Sequence, residues 1–91
     1  MEIVRYRYRL YGRVQGVGFR YKAGHVADMY RLTGYVKNEY DDSVTVELQG
    51  RQEEIDMFFQ LMGQDRYIVI DHMEKEKLPL EENEGSFRIK Y

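Results

Sequence analysis

From Ile3 to Arg13 the chain alternates, with Val4, Tyr6, Tyr8 and Leu10 on one side and Arg5, Arg7, Arg9 and Tyr11 on the other. A two-residue period is that of a strand with one face against a core. Gly12, Gly16 and Gly18 then crowd the stretch 12–20, predicting a loop that turns tightly and can bring its backbone close to a ligand. Ala23, Val26, Ala27 and Tyr30 follow at helical spacing, giving a short helix with one apolar face and Gly34 as its C-terminal cap. A strand is predicted over 34–39, a turn at Tyr40-Asp41-Asp42, and a returning strand in which Val44, Val46 and Leu48 alternate with Thr45, Glu47 and Gln49. Beyond Gly50, Ile55, Phe58, Phe59 and Met62 restore the helical period as far as Gly63, and Glu53 and Glu54 suit the positive end of that helix's dipole. The β-branched and aromatic run 67–73 and the alternating tail 86–91 predict two more strands, flanking a polar loop that contains Pro79.

The order is βαββαβ, with the tail as one further strand. Right-handed crossovers place both helices on one face of an antiparallel sheet, the α+β ferredoxin-like sandwich, and leave the other face to water. A chain of 91 residues with 43% hydrophobic content suffices for one domain over residues 1–91, since a domain of this size buries roughly 60 to 65% of its unfolded surface. Nothing in the pattern suggests a repeat, a linker or a membrane span.

Charge narrows the partners. Fourteen basic and 16 acidic side chains leave a formal net charge of −2, so no global field attracts polyanions, and neither nucleic acid nor a membrane is expected as a partner. With no cysteine there is no disulfide framework, thiolate nucleophile or sulfur metal site, which fits the cytoplasm. His25 and His72 are too few to build a metal centre and are assigned no role. The expectation is a monomer without metal or cofactor.

The candidate chemistry lies in the glycine-rich loop. A loop feeding a helix N-terminus presents unpaired N–H groups at the positive end of the dipole, an arrangement suited to anions. Gly16 and Gly18 let successive amides curl into a concave nest, and Arg20 adds a permanent charge with a planar fork matched to phosphate oxygens. The loop lacks both the Gly-Lys-Ser/Thr ending of an NTPase phosphate loop and the spacing of a dinucleotide fingerprint.

The run Gly12-Arg13-Val14-Gln15-Gly16-Val17-Gly18-Phe19-Arg20 resembles the first signature of the acylphosphatase family, and Gly34-Tyr35-Val36-Lys37-Asn38, followed by Val44 and Gly50, resembles its second. The resemblance covers essentially the whole chain. It implies hydrolysis of the carboxyl–phosphate bond of small acylphosphates, with Gln15, Gly16, Val17, Gly18, Phe19 and Arg20 as the phosphate-binding loop. By the same resemblance Arg20 grips the phosphate and Asn38 orients the attacking water, while inorganic phosphate or sulfate is a product-like ligand. The family usually has glycine where this chain has Asp42, a residue that tolerates a left-handed conformation at a cost of roughly 1 kcal/mol. The absence of a catalytic histidine or carboxylate pair agrees with this chemistry, because a carboxylate leaves without protonation. The substrate phosphate is then expected to accept the water proton, with Glu39, Asp41 and Asp42 as competing bases.

Two rival readings stand beside it. Arg5, Arg7, Arg9 and Tyr11 on an open sheet face suggest an RNA-binding module, although the outward positions Thr45, Glu47 and Gln49 lack the aromatic platform of such modules, and Glu47 is placed to neutralise an arginine across the sheet. A non-catalytic anion sensor on the same fold is the other.

Overall fold

The structure is a computed structural model, and it describes residues 2–91. Its elements are β1 (Ile3–Arg13), α1 (Phe19–Met29), β2 (Thr33–Asn38), β3 (Val44–Arg51), α2 (Gln52–Gly63), β4 (Val69–Leu78) and β5 (Phe87–Lys90). The strands form one sheet in the order β4-β1-β3-β2-β5, with α1 and α2 packed against one face. Val4, Tyr8 and Leu10 of β1, Val36 of β2 and Val44, Val46 and Leu48 of β3 meet Ala23, Val26, Ala27, Ile55, Phe58 and Met62 of the helices in a single buried cluster. The two periodicities read from the sequence thus face one another across one core.

Four expectations need correction. The sheet is antiparallel through four strands, but β5 runs parallel to β2, pairing Gly34 with Phe87 and Val36 with Ile89. Strand direction follows from which edge is free, and periodicity carries no such information.

Gly34 does not cap α1. The helix ends at Met29 and closes through Arg31, which has φ 57° and takes the left-handed place; Arg31 N donates to Asp28 O at 3.2 Å and Leu32 N to Ala27 O at 2.9 Å. This is the two-bond closure in which a glycine is usual, here filled by arginine. Gly34 instead lies inside β2 at φ 133°, where an ideal Cβ would stand 1.9 Å from Glu47 O, so its bare backbone serves strand contact rather than helix termination.

The last strands and the outer face also differ. β4 runs on to Leu78 through the charged stretch read as loop, and stops before Pro79. As an edge strand exposed on both faces it needs no apolar alternation, and its charges guard the edge. The face away from the helices is not left to water. Arg5, Thr45 and Glu47 are buried there, and residues 79–86 lie across it, with Gln49 bonded to the Glu81 backbone at 3.0 and 2.8 Å and Arg5 to Glu84 at 2.7 Å.

Candidate functional site

β1 leaves the sheet through a register shift between Tyr11 and Gly12 against β4, a bulge that redirects the chain into the loop before α1. Gly16 (φ 73°) and Gly18 (φ 78°) both take the left-handed conformation, so the loop curls as the glycine spacing predicts. Gly18 is also the N-cap of α1. It supplies no side-chain cap, and the first turn carries no acidic residue, so the leading amides of the helix are uncapped by the chain and face no local negative charge.

Gln15, Gly16, Gly18, Phe19 and Arg20 line one cavity of about 200 Å³ together with Asn38 at the end of β2, Ile89 of β5 and the flanking Tyr21 and Tyr91. The volume suits a small anion and a short attached group. Val17, predicted within the same loop, turns toward the core instead. Arg20 takes part in no ion pair among the described residues, whereas Arg5, Arg7 and Arg9 each hold a carboxylate. Its guanidinium rests 4.8 Å from the ring centroid of Tyr91, a contact that orients a cation without neutralising it. Asn38 Oδ1 is buried with no hydrogen-bond partner among the described residues. A buried acceptor in that condition is unfavourable by about 1 to 3 kcal/mol unless something donates to it.

The chain belongs to the acylphosphatase family. The family model "Acylphosphatase" matches residues 6–89. The acylphosphatase of Clostridium acetobutylicum is 40% identical over 88 residues, covering 96% of this chain and 97% of that protein. The acylphosphatase of Geobacillus thermodenitrificans is 38% identical over 81 residues, 88% of this chain and 86% of that protein. Among solved structures, the acylphosphatase of Bacillus subtilis superimposes with a TM-score of 0.86 at 30% identity, covering 97% of this chain and 99% of the other.

In the hairpin turn this acylphosphatase-family chain carries Asp42, where the resemblance leads to an expectation of glycine. Asp42 has φ 75°, the left-handed conformation anticipated for that place, with its N–H on Glu39 O at 3.3 Å. Of the nearby carboxylates, Glu39 and Asp41 are committed elsewhere, while Asp42 is exposed on the turn. Glu39 accepts from Thr45 Oγ1 at 2.7 Å, and Asp41 accepts from the Ser43 N–H at 3.0 Å and pairs with Arg9 at 3.0 Å. Hydrogen bonds from the Ser43 hydroxyl and N–H, with Arg9, hold the Asp41 carboxyl below the usual carboxylate range, which makes it a weak base.

A larger cavity, about 550 Å³, opens on the outer face beneath residues 81–86. Its two arginines are already engaged, since Arg5 pairs with Glu47 at 2.8 Å and with Glu84 at 2.7 Å, and Arg88 with Glu84 at 3.5 Å. The RNA-binding reading loses its footing for the same reason: Arg7 pairs with Glu76 at 2.7 Å, so the outer face is a balanced ionic layer rather than a basic platform. His25 is exposed, and His72, also exposed, stacks against Tyr11 with ring centroids 5.6 Å apart.

Sequence reasoning missed Ile89 and Tyr91, and it named Gln15 in the phosphate-binding loop without its contact to the hairpin. Ile89 and Tyr91 reach the cavity because β5 docks beside β2, and the side chain of Gln15 turns away from the loop to the β2–β3 hairpin, with Nε2 2.6 Å from Glu39 O and 2.9 Å from Ser43 O. The parallel pairing of the tail carried no sequence signal. Gln15 did carry one, as the single long polar side chain among glycines and apolar residues between Val14 and Phe19.

Proposed function

We propose that this chain hydrolyses the carboxyl–phosphate bond of small acylphosphates, with the loop amides and Arg20 binding the phosphoryl group and Asn38 orienting the nucleophilic water. The observation that carries the reading is the meeting, in one small cavity, of a left-handed glycine loop at a helix start, a guanidinium without a carboxylate partner and a buried carboxamide oxygen lacking a donor. Each answers one requirement of phosphoryl transfer. The amides and Arg20 take up charge spread over the equatorial oxygens, and they are fixed before the substrate arrives. The Asn38 oxygen can accept from a water and so hold it in line with the leaving oxygen.

The leaving group is a carboxylate, stable as an anion, so no general acid is required. Glu39 and Asp41 are both tied to other partners and Asp42 does not line the cavity, which favours transfer of the water proton to the substrate phosphate itself. Arg20 and the amides supply the fixed positive potential for which other phosphoryl-transfer sites use a cation, so the reaction is read as metal-independent and free of cofactors. Inorganic phosphate or sulfate would occupy the same cup as a product-like ligand. Among the described residues no helix is long and apolar enough to cross a membrane; a cytoplasmic monomer acting on a small molecule, without nucleic acid or membrane as partner, is the setting proposed.

The test is phosphate release from a simple acylphosphate with chelator present. Wild-type protein is expected to turn over undiminished by chelator. Arg20→Ala should lower kcat/KM by about a hundredfold or more, as loss of a transition-state donor does, and Asn38→Ala should lower kcat by a comparable factor. Glu39→Gln and Asp41→Asn should stay within a few-fold of wild type. Activity surviving both Arg20→Ala and Asn38→Ala would overturn the site, and a loss in Glu39→Gln matching that of Asn38→Ala would overturn the assignment of the proton acceptor.

A further inference from the structure

Two parts of the site lie on different segments of the chain that share no ladder. The loop belongs to the exit of β1 and Asn38 to the end of β2, and the strand order β4-β1-β3-β2-β5 puts β3 between them. Sheet hydrogen bonds therefore fix β1 as far as Leu10 and β2 each against β3, and the exit of β1 against β4, but neither site segment against the other. Gln15 spans the gap. Its backbone lies in the curled loop, while its side-chain nitrogen donates to Glu39 O at 2.6 Å and to Ser43 O at 2.9 Å.

Those two carbonyls bracket the hairpin turn. Ser43 O also accepts from Glu39 N at 2.9 Å, and Glu39 O from Asp42 N at 3.3 Å, so each carbonyl uses both of its acceptor positions. Glu39 is the neighbour of Asn38 in the chain, and its carbonyl ends the peptide plane one residue beyond the proposed water-orienting side chain. A carboxamide suits this place on chemical grounds. Both targets are acceptors, so the tether must offer two donors, which a carboxylate does not. A lysine or arginine would donate too, but would set a second positive charge beside Arg20 and compete for the anion.

We propose that Gln15 is a positioning residue for the reaction, its side-chain amide fixing the distance between the phosphate cup and Asn38. The inference rests on the assignment of Arg20 and Asn38 proposed above and adds to it the part that registers one against the other. A displacement of about 1 Å in a reacting geometry lowers the rate on the order of a hundredfold, so one tether of this kind is sufficient to matter.

The experiment compares wild type with Gln15→Met, which keeps length without donors, and Gln15→Asn, which keeps the carboxamide but is one methylene too short to reach both carbonyls. Each is measured for kcat and KM on a simple acylphosphate and for the inhibition constant of inorganic phosphate, alone and combined with Asn38→Ala; direct titration with phosphate replaces inhibition where turnover is too slow. The expected result is a fall in kcat of about ten- to a hundredfold in both variants. The phosphate constant should move by less than about twofold, because the curl of the cup is set by the left-handed Gly16 and Gly18 and Arg20 sits on α1, and in the Asn38→Ala background Gln15→Met should change kcat by less than about twofold. A phosphate constant that weakens in step with kcat would overturn the proposal by showing that Gln15 shapes the cup itself. So would an undiminished kcat, or a full loss repeated in the Asn38→Ala background. Failure of the underlying site assignment shows separately, as a wild type without acylphosphate hydrolysis or an Asn38→Ala protein with wild-type kcat, and either removes this proposal with it.

Discussion

Gly34, Arg31 and Asp42 show how single backbone positions are held in this chain. At Gly34 the β2 backbone passes so close to β3 that an added Cβ would meet Glu47 O at 1.9 Å and the Glu47 carbonyl carbon at 2.7 Å, at a φ of 133° that side chains avoid. Gly34→Ala is expected to lower unfolding stability by about 2 to 4 kcal/mol, because backbone on both sides of the clash is fixed by the sheet. Arg31 is the opposite case. It occupies the left-handed closure of α1 without a side-chain bond that requires arginine, so Arg31→Gly is expected to raise stability by about 0.5 to 1 kcal/mol. Urea denaturation of the two variants reads both effects, and the outcome against this account is a Gly34→Ala protein within 1 kcal/mol of wild type by that measure.

At the scale of elements, the outer face is held by charge where the inner face is held by apolar packing. Glu47 accepts from Arg5 and from Tyr35 across three strands, and Glu84 anchors the 79–86 segment onto Arg5, with Arg88 at 3.5 Å from its other oxygen. Burial alone would raise the Glu84 pKa, but hydrogen bonds from Arg5 and Thr33 and the two guanidinium charges outweigh it and hold the carboxyl below the ordinary range. The sign follows directly. A carboxyl whose folded pKa lies below its unfolded value, about 4.3, contributes stability that is complete above that value and is lost as pH falls through the lower folded pKa. Stability of the wild type measured from pH 7 down to pH 3 should therefore fall more steeply below about pH 4.5 than that of Glu84→Gln, which lacks the titrating group. Parallel curves would show that the segment is not held by this ion pair.

The molecule as a whole assembles its site from three distant pieces: the loop after β1, the end of β2, and β5 near the end of the sequence. Each is in place only when the sheet is, and β5 docks only when β2 offers its free edge. Residues 1–91 are accordingly proposed to unfold as one cooperative domain, with acylphosphate hydrolysis and tyrosine fluorescence lost at the same urea concentration. Activity vanishing well before fluorescence would mean that the site region opens on its own.

What the residues alone determined follows from short range. The periods of two and 3.6 gave β1, β3, β5 and both helices their type, since burial of one face imposes those periods wherever a core lies on one side only. The glycines at 16 and 18 made the curled loop at the start of α1 legible, because left-handed turns and helix ends depend on neighbours in the chain. Where both faces of a strand were exposed, as in the second half of β4, the signal vanished and the stretch beyond Met73 was read as loop. Only the tertiary structure decided that the tail pairs parallel to β2, that Arg5 and Glu47 are buried beneath a crossing segment, and that Gln15 reaches the hairpin. Those outcomes depend on which chain segments become neighbours when β3 inserts between β1 and β2, a relation between residues far apart in sequence that local patterning does not encode.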